Sequence, residues 1–388
     1  MTNNLEMKEI NSLDIRETVQ FHNRIYNDNR TSEQWNWEYR GNYPNTFVFT
    51  IVKDKNTKRI VGTQGMIPIY LNIKGKRYFS GKSENSLLDS NFRGGTLFQD
   101  LYEFAVVKCK SKQMYCIWGF TSAAKVWREK LKFEVYKNNL KESKIILNFG
   151  ATAFDTIQSN VKNVLKALKH RQTSIRKVVT SFFEKLRNMS GLLSGSKPDL
   201  GIEEKSVSVN SYKKESLKEH YKIERNLHAG EDIKTLYSRL RKKYPNLVHI
   251  DQDKKYLQWR IFKNPIVNYD TYFIYEKDLL RGYCYINTSS RRIGFISDLT
   301  FETSEAGAFL LGKLLNELRA KKIIYLYFFG NIKNQMMARV FQLLKQFGAK
   351  ISDSDQYFVL RNLSYPDEEW LLDIKNWYLN GLWSEGYK

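Results

Sequence analysis

A chain of 388 residues with 42% hydrophobic and 14% aromatic side chains is too rich in core-forming residues for disorder, and it is long enough for two domains. Its three cysteines, Cys109, Cys116 and Cys284, have no metal-ligand spacing, which argues against a disulfide framework and a zinc site. The formal charge of +22 favours a polyanionic partner: a nucleotide cofactor, an RNA, an anionic membrane surface or an acidic glycan.

The N-terminus carries no apolar h-region, and no run of about 20 apolar residues occurs. The expected location is therefore the cytoplasm, with peripheral attachment to the inner face of the membrane as the alternative. In chain order, a Trp-rich segment (Trp37 to Pro44) precedes a strand expected over Thr46–Val52, and a second strand begins near Gly62. Residues 83–104 carry the strongest functional signal. A short apolar strand (Leu87, Leu88) enters a turn at Asp89–Asn91, an Arg-Gly-Gly turn follows (Arg93, Gly94, Gly95), and a helix opens at Thr96. The glycines free the backbone for φ > 0 and for close approach to a ligand. A helix start presents unpaired N–H groups and the positive end of its dipole. Together these make a site for a phosphate or pyrophosphate. Thr96 and Gln99 fit a capping box, and Asp89 suits a turn-capping role.

Met114–Phe120 reads as a buried strand, followed by a helix closing on Lys132 and Phe133. Apolar residues at helical period run from Ile157 to Leu193, and the opposite face carries eight basic residues, among them Lys162, Lys166, Lys169 and Arg171. Such a helix packs on a domain, lies on an anionic membrane or grips RNA. Ser190 to Lys205 reads as a linker.

The second part of the chain repeats the first. The Trp37 segment is matched by Trp259 to Pro265, the strands at Thr46 and Gly62 by Tyr272–Tyr275 and a strand near Gly282, and Leu88-Asp89 by Ser297-Asp298. Met114–Phe120 is matched by Ile323–Phe329, followed by a helix ending at Gln346 to Gly348. The shared order of elements indicates a duplication. The expected fold class is mixed α/β with mostly antiparallel sheets, divided as a first domain over 1–150, a helical linker segment over 151–210 and a second domain over 211–388.

From Val61 to Tyr136 the chain resembles the GCN5-related N-acetyltransferase (GNAT) superfamily, in its tandem form. Family members carry an Arg-Gly-x-Gly-x-Gly/Ala turn before the long helix; this chain has Arg93-Gly94-Gly95-Thr96-Leu97-Phe98. The second half has no Arg-Gly at that place, which makes it the half without a cofactor. The Trp-to-Asn-Pro repeat is also similar to that of tandem GNAT proteins found with surface-polysaccharide biosynthesis.

The resemblance implies an acyltransferase using acetyl-CoA on an amine, with an amino sugar of a surface glycan as one acceptor. The strand with Leu87 and Leu88 would part from its neighbour to admit the acyl-CoA arm. The N–H of Leu88 would then polarise the thioester carbonyl. Backbone N–H groups of Arg93, Gly94, Gly95, Thr96, Leu97 and Phe98 would hold the pyrophosphate. Glu84, nine residues before Arg93, becomes the candidate general base. The family's Tyr acid is replaced by Trp127, whose indole N–H is no useful acid. The five histidines are scattered and point to no catalytic or metal role, so no metal is expected. An aminoacyl-tRNA-dependent transferase of the Fem type, also two GNAT-like halves with a basic arm, is the alternative; a non-catalytic binding protein on the same fold is a third reading.

Overall fold

The structure is a computed structural model and describes residues 4–41, 46–148, 220–225, 230–363 and 369–384. The basic stretch 157–193 and the linker reading at 190–205 lie outside the described residues. Strands are numbered in chain order. Where β-branched and apolar residues run together the chain builds its longest hairpin, β3 (Ile60–Ile73) and β4 (Lys76–Leu88). Lys74 and Gly75, both at positive φ (51° and 85°), join them in the two-residue turn whose twist suits the flanking strands.

The first sheet runs β1 (Leu5–Glu9), β2 (Val48–Asp54), β3, β4, β5 (Cys116–Thr121), β15 (Tyr357–Asn362), β6 (Glu134–Tyr136), with β9 (Val248–Ile250) also paired to β3. The second runs β14 (Lys350–Asp353), β7 (Leu140–Ile146), β13 (Tyr325–Asn331), β12 (Ile293–Phe301), β11 (Leu279–Asn287), β10 (Tyr269–Glu276), β8 (Tyr221–Arg225). Among the numbered strands of the described residues only β4–β5 and β12–β13 pair with each other in parallel. The mostly antiparallel, mixed α/β class read from the sequence is the observed one.

The helices are α1 (Ile15–Tyr26), α2 (Ser32–Arg40), α3 (Leu97–Ser111), α4 (Ala124–Glu129), α5 (Gly230–Lys243), α6 (Lys254–Leu257, continued by a π turn over Gln258–Phe262), α7 (Ser304–Ala320), α8 (Gln335–Gln346) and α9 (Glu369–Leu372).

The two sheets do not follow sequence bounds at 150 and 211. Strand β15 crosses back to lie between β5 and β6, with Tyr357 opposite Thr121 and Asn362 opposite Cys116. Strand β7 goes the other way, with Leu140 opposite Asn331 and Ile146 opposite Tyr325. The first half lends β7, and the second lends β15 and β9, so neither sheet is complete in a contiguous piece of chain.

The duplication is visible as contacts between equivalent residues, which can meet only on the axis relating the halves. Trp37 Nε1 donates to the carbonyl of Trp259 at 3.0 Å, and Trp259 Nε1 donates to that of Trp37 at 2.7 Å. Phe120 meets Phe329 edge to face at 5.6 Å between centroids. A third inter-half contact comes from the C-terminal segment. Trp383 is fully buried against Trp118 of β5 (4.7 Å) and Trp377 (5.7 Å). Truncating it leaves a void shared by both halves. Trp383→Ala is expected to cost about 3–5 kcal/mol, read as a lower midpoint in urea.

Candidate functional site

The site begins where two strands part. Strand β4 pairs with β5 only from Ser80 to Lys82, opposite Cys116 to Trp118. Gly119 still lies close, since a Cβ there would come within 3.3 Å of the Ser83 carbonyl oxygen. Beyond that point no backbone hydrogen bond joins β4 to β5 among the described residues. The parting expected from the sequence is present. On the other edge of β4 the Asp89 N–H donates to the Val61 carbonyl at 2.8 Å. Antiparallel ladders alternate, so the Leu88 N–H, one residue earlier, faces away from β3 and toward the opening.

At its mouth β4 turns into a short 3₁₀ turn, Ser90–Phe92, which Asp89 caps by accepting from the Asn91 N–H at 3.1 Å. That is the turn-capping role expected of Asp89, and Arg24 of α1 pairs with its other oxygen at 3.6 Å. Phe92 and Phe98 pack on the apolar cluster of Val52, Val61, Leu88, Leu97 and Leu101. The Phe98 ring therefore faces the core, and its replacing a small residue does not fill the turn. Arg93 Nε ties the turn to the Leu88 carbonyl at 3.0 Å. Gly94 has φ +94°, and a Cβ added at Gly94 or Gly95 would meet nothing within 4 Å. The turn is open on its outer side.

The capping box at Thr96 and Gln99 is absent. Thr96 has helical dihedrals (φ −85°, ψ −10°) and its hydroxyl donates to Asp100 at 2.8 Å. No side chain caps α3, so its first N–H groups and the positive end of its dipole face the open turn without a side-chain partner.

Behind the turn, β4 carries a bulge. Thr63 opposes Leu87 and Gly65 opposes Glu84, leaving Gln64 across from Asn85 and Ser86, with Asn85 at φ +51°. The bulge sets Glu84 and Asn85 side by side toward α1 and α2. Glu84 forms an ion pair with Lys82, which is almost wholly buried. Asn85 donates its amide to Tyr39 Oη (2.5 Å) and presents Oδ1 to His22 Nδ1 (2.9 Å). Tyr26, half-exposed one turn beyond His22, is held protonated above its usual range by burial and by the charge of Glu84. On the opposite face Tyr102 Oη donates to Ser83 Oγ at 2.9 Å. Trp127 is buried against Tyr102 and Phe133 and belongs to the core.

Sequence reasoning missed His22, Tyr26 and Asn85. Their only signal was the bulge, which depends on how β3 and β4 register.

The second half is the same construction, closed. Gly62 opposes Leu88 and Gly282 opposes Phe301; Gly65 opposes Glu84 and Tyr285 opposes Asp298. By register the counterpart of Glu84 is Asp298, which corrects the sequence match of Asp298 to Asp89. Two residues separate β12 from α7, against eight between β4 and α3, so the second half has no loop for a pyrophosphate. Thr303 caps α7, accepting from the Ala306 N–H at 3.2 Å, and Glu302 is held by Arg239 and Arg281.

The parting of β12 and β13 is filled by the chain's own C-terminal segment. Leu382 N–H donates to the Ser297 carbonyl of β12 (2.9 Å), and the Asn331 N–H of β13 donates to the Leu379 carbonyl (3.1 Å). Tyr378 reaches in to Asp298 and Thr300.

No protein-family model matches this sequence, and no curated protein matches it. Solved structures do. A conserved protein of unknown function from Enterococcus faecalis, described as a probable N-acyltransferase, superimposes with a TM-score of 0.57 at 9% identity, covering 92% of this chain and 73% of the other. A tandem GNAT protein from the clavulanic acid biosynthesis pathway gives 0.51 at 10% identity over 94% and 100% of the two chains. Saccharomyces cerevisiae N-myristoyltransferase with bound myristoyl-CoA gives 0.51 at 12% identity over 93% and 80%. At these identities the likeness is one of fold: two GNAT-like units in tandem.

Asp298 makes the closed half titratable. Fully buried, it accepts from Gln252 (2.9 Å), Tyr283 (2.9 Å), Thr300 (3.1 Å) and Tyr378 (3.3 Å), and no cation pairs with it among the described residues. Burial pushes its carboxyl up to about 6, outweighing these hydrogen bonds. A carboxyl raised on folding holds a proton that the unfolded chain gives up. Its contribution to stability is full below about pH 4 and is lost as pH rises through about 6, by about 3 kcal/mol. Asp298→Asn should flatten that part of the stability profile, measured by denaturant titration from pH 4 to 8.

Proposed function

We propose that the protein transfers the acyl group of an acyl-CoA, acetyl-CoA in the first instance, to an amine. The observation that carries this reading is the contrast between the halves. The same strand parting is filled by protein in one, and left open beside an uncapped helix and a two-glycine turn in the other. The pyrophosphate would lie on the N–H groups from Arg93 to Phe98, with the acyl arm entering between β4 and β5. The Leu88 N–H then stabilises the oxyanion of the tetrahedral intermediate. The amine nitrogen attacks the thioester carbonyl carbon, the C–S bond breaks, and the CoA thiolate leaves. Glu84 accepts the proton that an incoming ammonium must lose. An amino sugar of a surface glycan is the acceptor we favour, and an anionic membrane surface is the site at which the basic chain would meet it.

Three measurements test this. Acetyl-CoA at about 100 times its Kd should stabilise the fold by about 2.7 kcal/mol. Gly95→Asp should abolish that gain, because position 95 has room for a side chain and the new carboxylate would face the pyrophosphate. Gly94→Asp should do the same while adding strain at φ +94°. A shift with bulk tRNA and none with millimolar acetyl-CoA would overturn the reading in favour of a tRNA-dependent transferase. Glu84→Gln should keep acetyl-CoA binding and lower kcat by about 10²–10⁴, with a smaller loss at high pH where the amine is already neutral.

A further inference from the structure

An ammonium acceptor loses two protons on the way to an amide: one before it can attack, the second as the new C–N bond forms. Glu84 accounts for one. On the α1 side of β4 in the open half stands a second proton acceptor, His22. We propose that His22 is a catalytic base of this acyl transfer, taking through Nε2 the second proton of the attacking amine, with Asn85 as the residue that fixes its tautomer; the inference rests on the acyl-transfer reading above.

The geometry runs outward from the buried end. The Asn85 amide group donates to Tyr39 Oη (2.5 Å), which turns its carbonyl Oδ1 to His22. His22 Nδ1 stands 2.9 Å from that oxygen, and two acceptors cannot share the contact, so Nδ1 carries the hydrogen. The lone pair is then on Nε2. Its neighbour is Asp28 Oδ2 at 3.5 Å, at the outer limit of a hydrogen bond and placed to stabilise the imidazolium once formed.

The other groups that face His22 set its resting state. On α1, Tyr26 packs at 4.9 Å. In the α1–α2 connection Asp28 opposes Arg30, and Arg30 is itself paired with buried Glu38. On β4, Asn85 follows Glu84, which is paired with Lys82. Burial, then Arg30, holds the imidazole below its usual range, so it is neutral and ready to accept. The side chain is 15% exposed.

The step balances. The amine nitrogen bonds to the carbonyl carbon, its N–H proton passes to Nε2, the C–S bond breaks to free the thiolate, and His22 returns its proton to solvent.

Two readouts decide it on the full chain. The first needs no acceptor. Nitrogen-15 NMR of histidine-labelled protein, with the His22 signal assigned by its loss in His22→Gln, should show the neutral Nδ1–H tautomer at pH 7. An Nε2–H tautomer overturns the proposal. The second uses glucosamine as the probe amine. His22→Gln should bind acetyl-CoA as the wild type does, leave KM for glucosamine within about twofold, and lower kcat by about 10²-fold or more. Millimolar imidazole should restore part of the rate. Asn85→Ser, which keeps the imidazole but frees it, should lower kcat and move the acidic limb of the kcat profile. Unchanged kcat in His22→Gln overturns the role of His22 and leaves the acyl-transfer reading standing. Loss of acetyl-CoA binding by the wild type itself would instead remove the reading on which the role rests.

Discussion

Two parallel strands that part must do something with the backbone they leave unpaired. N–H and C=O groups at an inner sheet position cannot be buried bare without a penalty comparable to a lost hydrogen bond each. The molecule answers this constraint twice. Between β12 and β13 the chain supplies its own filling, and Leu379 and Leu382 bond to the two strands in turn. Between β4 and β5 the Arg93 side chain takes the Leu88 carbonyl, no further strand enters among the described residues, and the opening ends on an uncapped helix. The closed half shows what the open one lacks. Under the acyl-transfer reading proposed above, the pantetheine arm of an acyl-CoA, whose amides can bond to both strands, takes that place.

The order of elements was legible in the sequence because it rests on local signals. Alternating apolar residues, Gly turns and the repeated tryptophans each act over a few positions, and the duplication multiplied them. Strand ends moved by one or two residues: the strand expected at Thr46–Val52 is Val48–Asp54, and that expected at Met114–Phe120 is Cys116–Thr121. The exchange of β7 and β15 left no mark. A strand reads the same whichever sheet it joins, since its alternation fixes a face and says nothing of a partner.

The site was legible in its backbone and not in its side chains. Glycines and a helix start announce an anion turn by composition alone. The groups near Glu84 come together through a single inserted residue at Asn85, and a one-residue bulge leaves no periodicity to detect. The halves were misaligned for a different reason: eight residues separate β4 from α3 and two separate β12 from α7, so counting back from the elements that follow matched Asp298 to Asp89 instead of Glu84. The capping box failed for another reason. Thr96 sits already inside helical backbone, where its hydroxyl finds Asp100 before it can find the helix's own N–H groups.

The strand exchange also sets the timing of folding on the ribosome. Thr121 of β5 waits for Tyr357 of β15, which is synthesised more than two hundred residues later. At about 5–20 residues per second, that is roughly 10–50 s in which one edge of the nascent first sheet has no neighbour. An edge left bare that long is a template for pairing with another chain. The protein's exposure to misassembly is therefore greatest during its synthesis, before β15 emerges to cover the β5 edge.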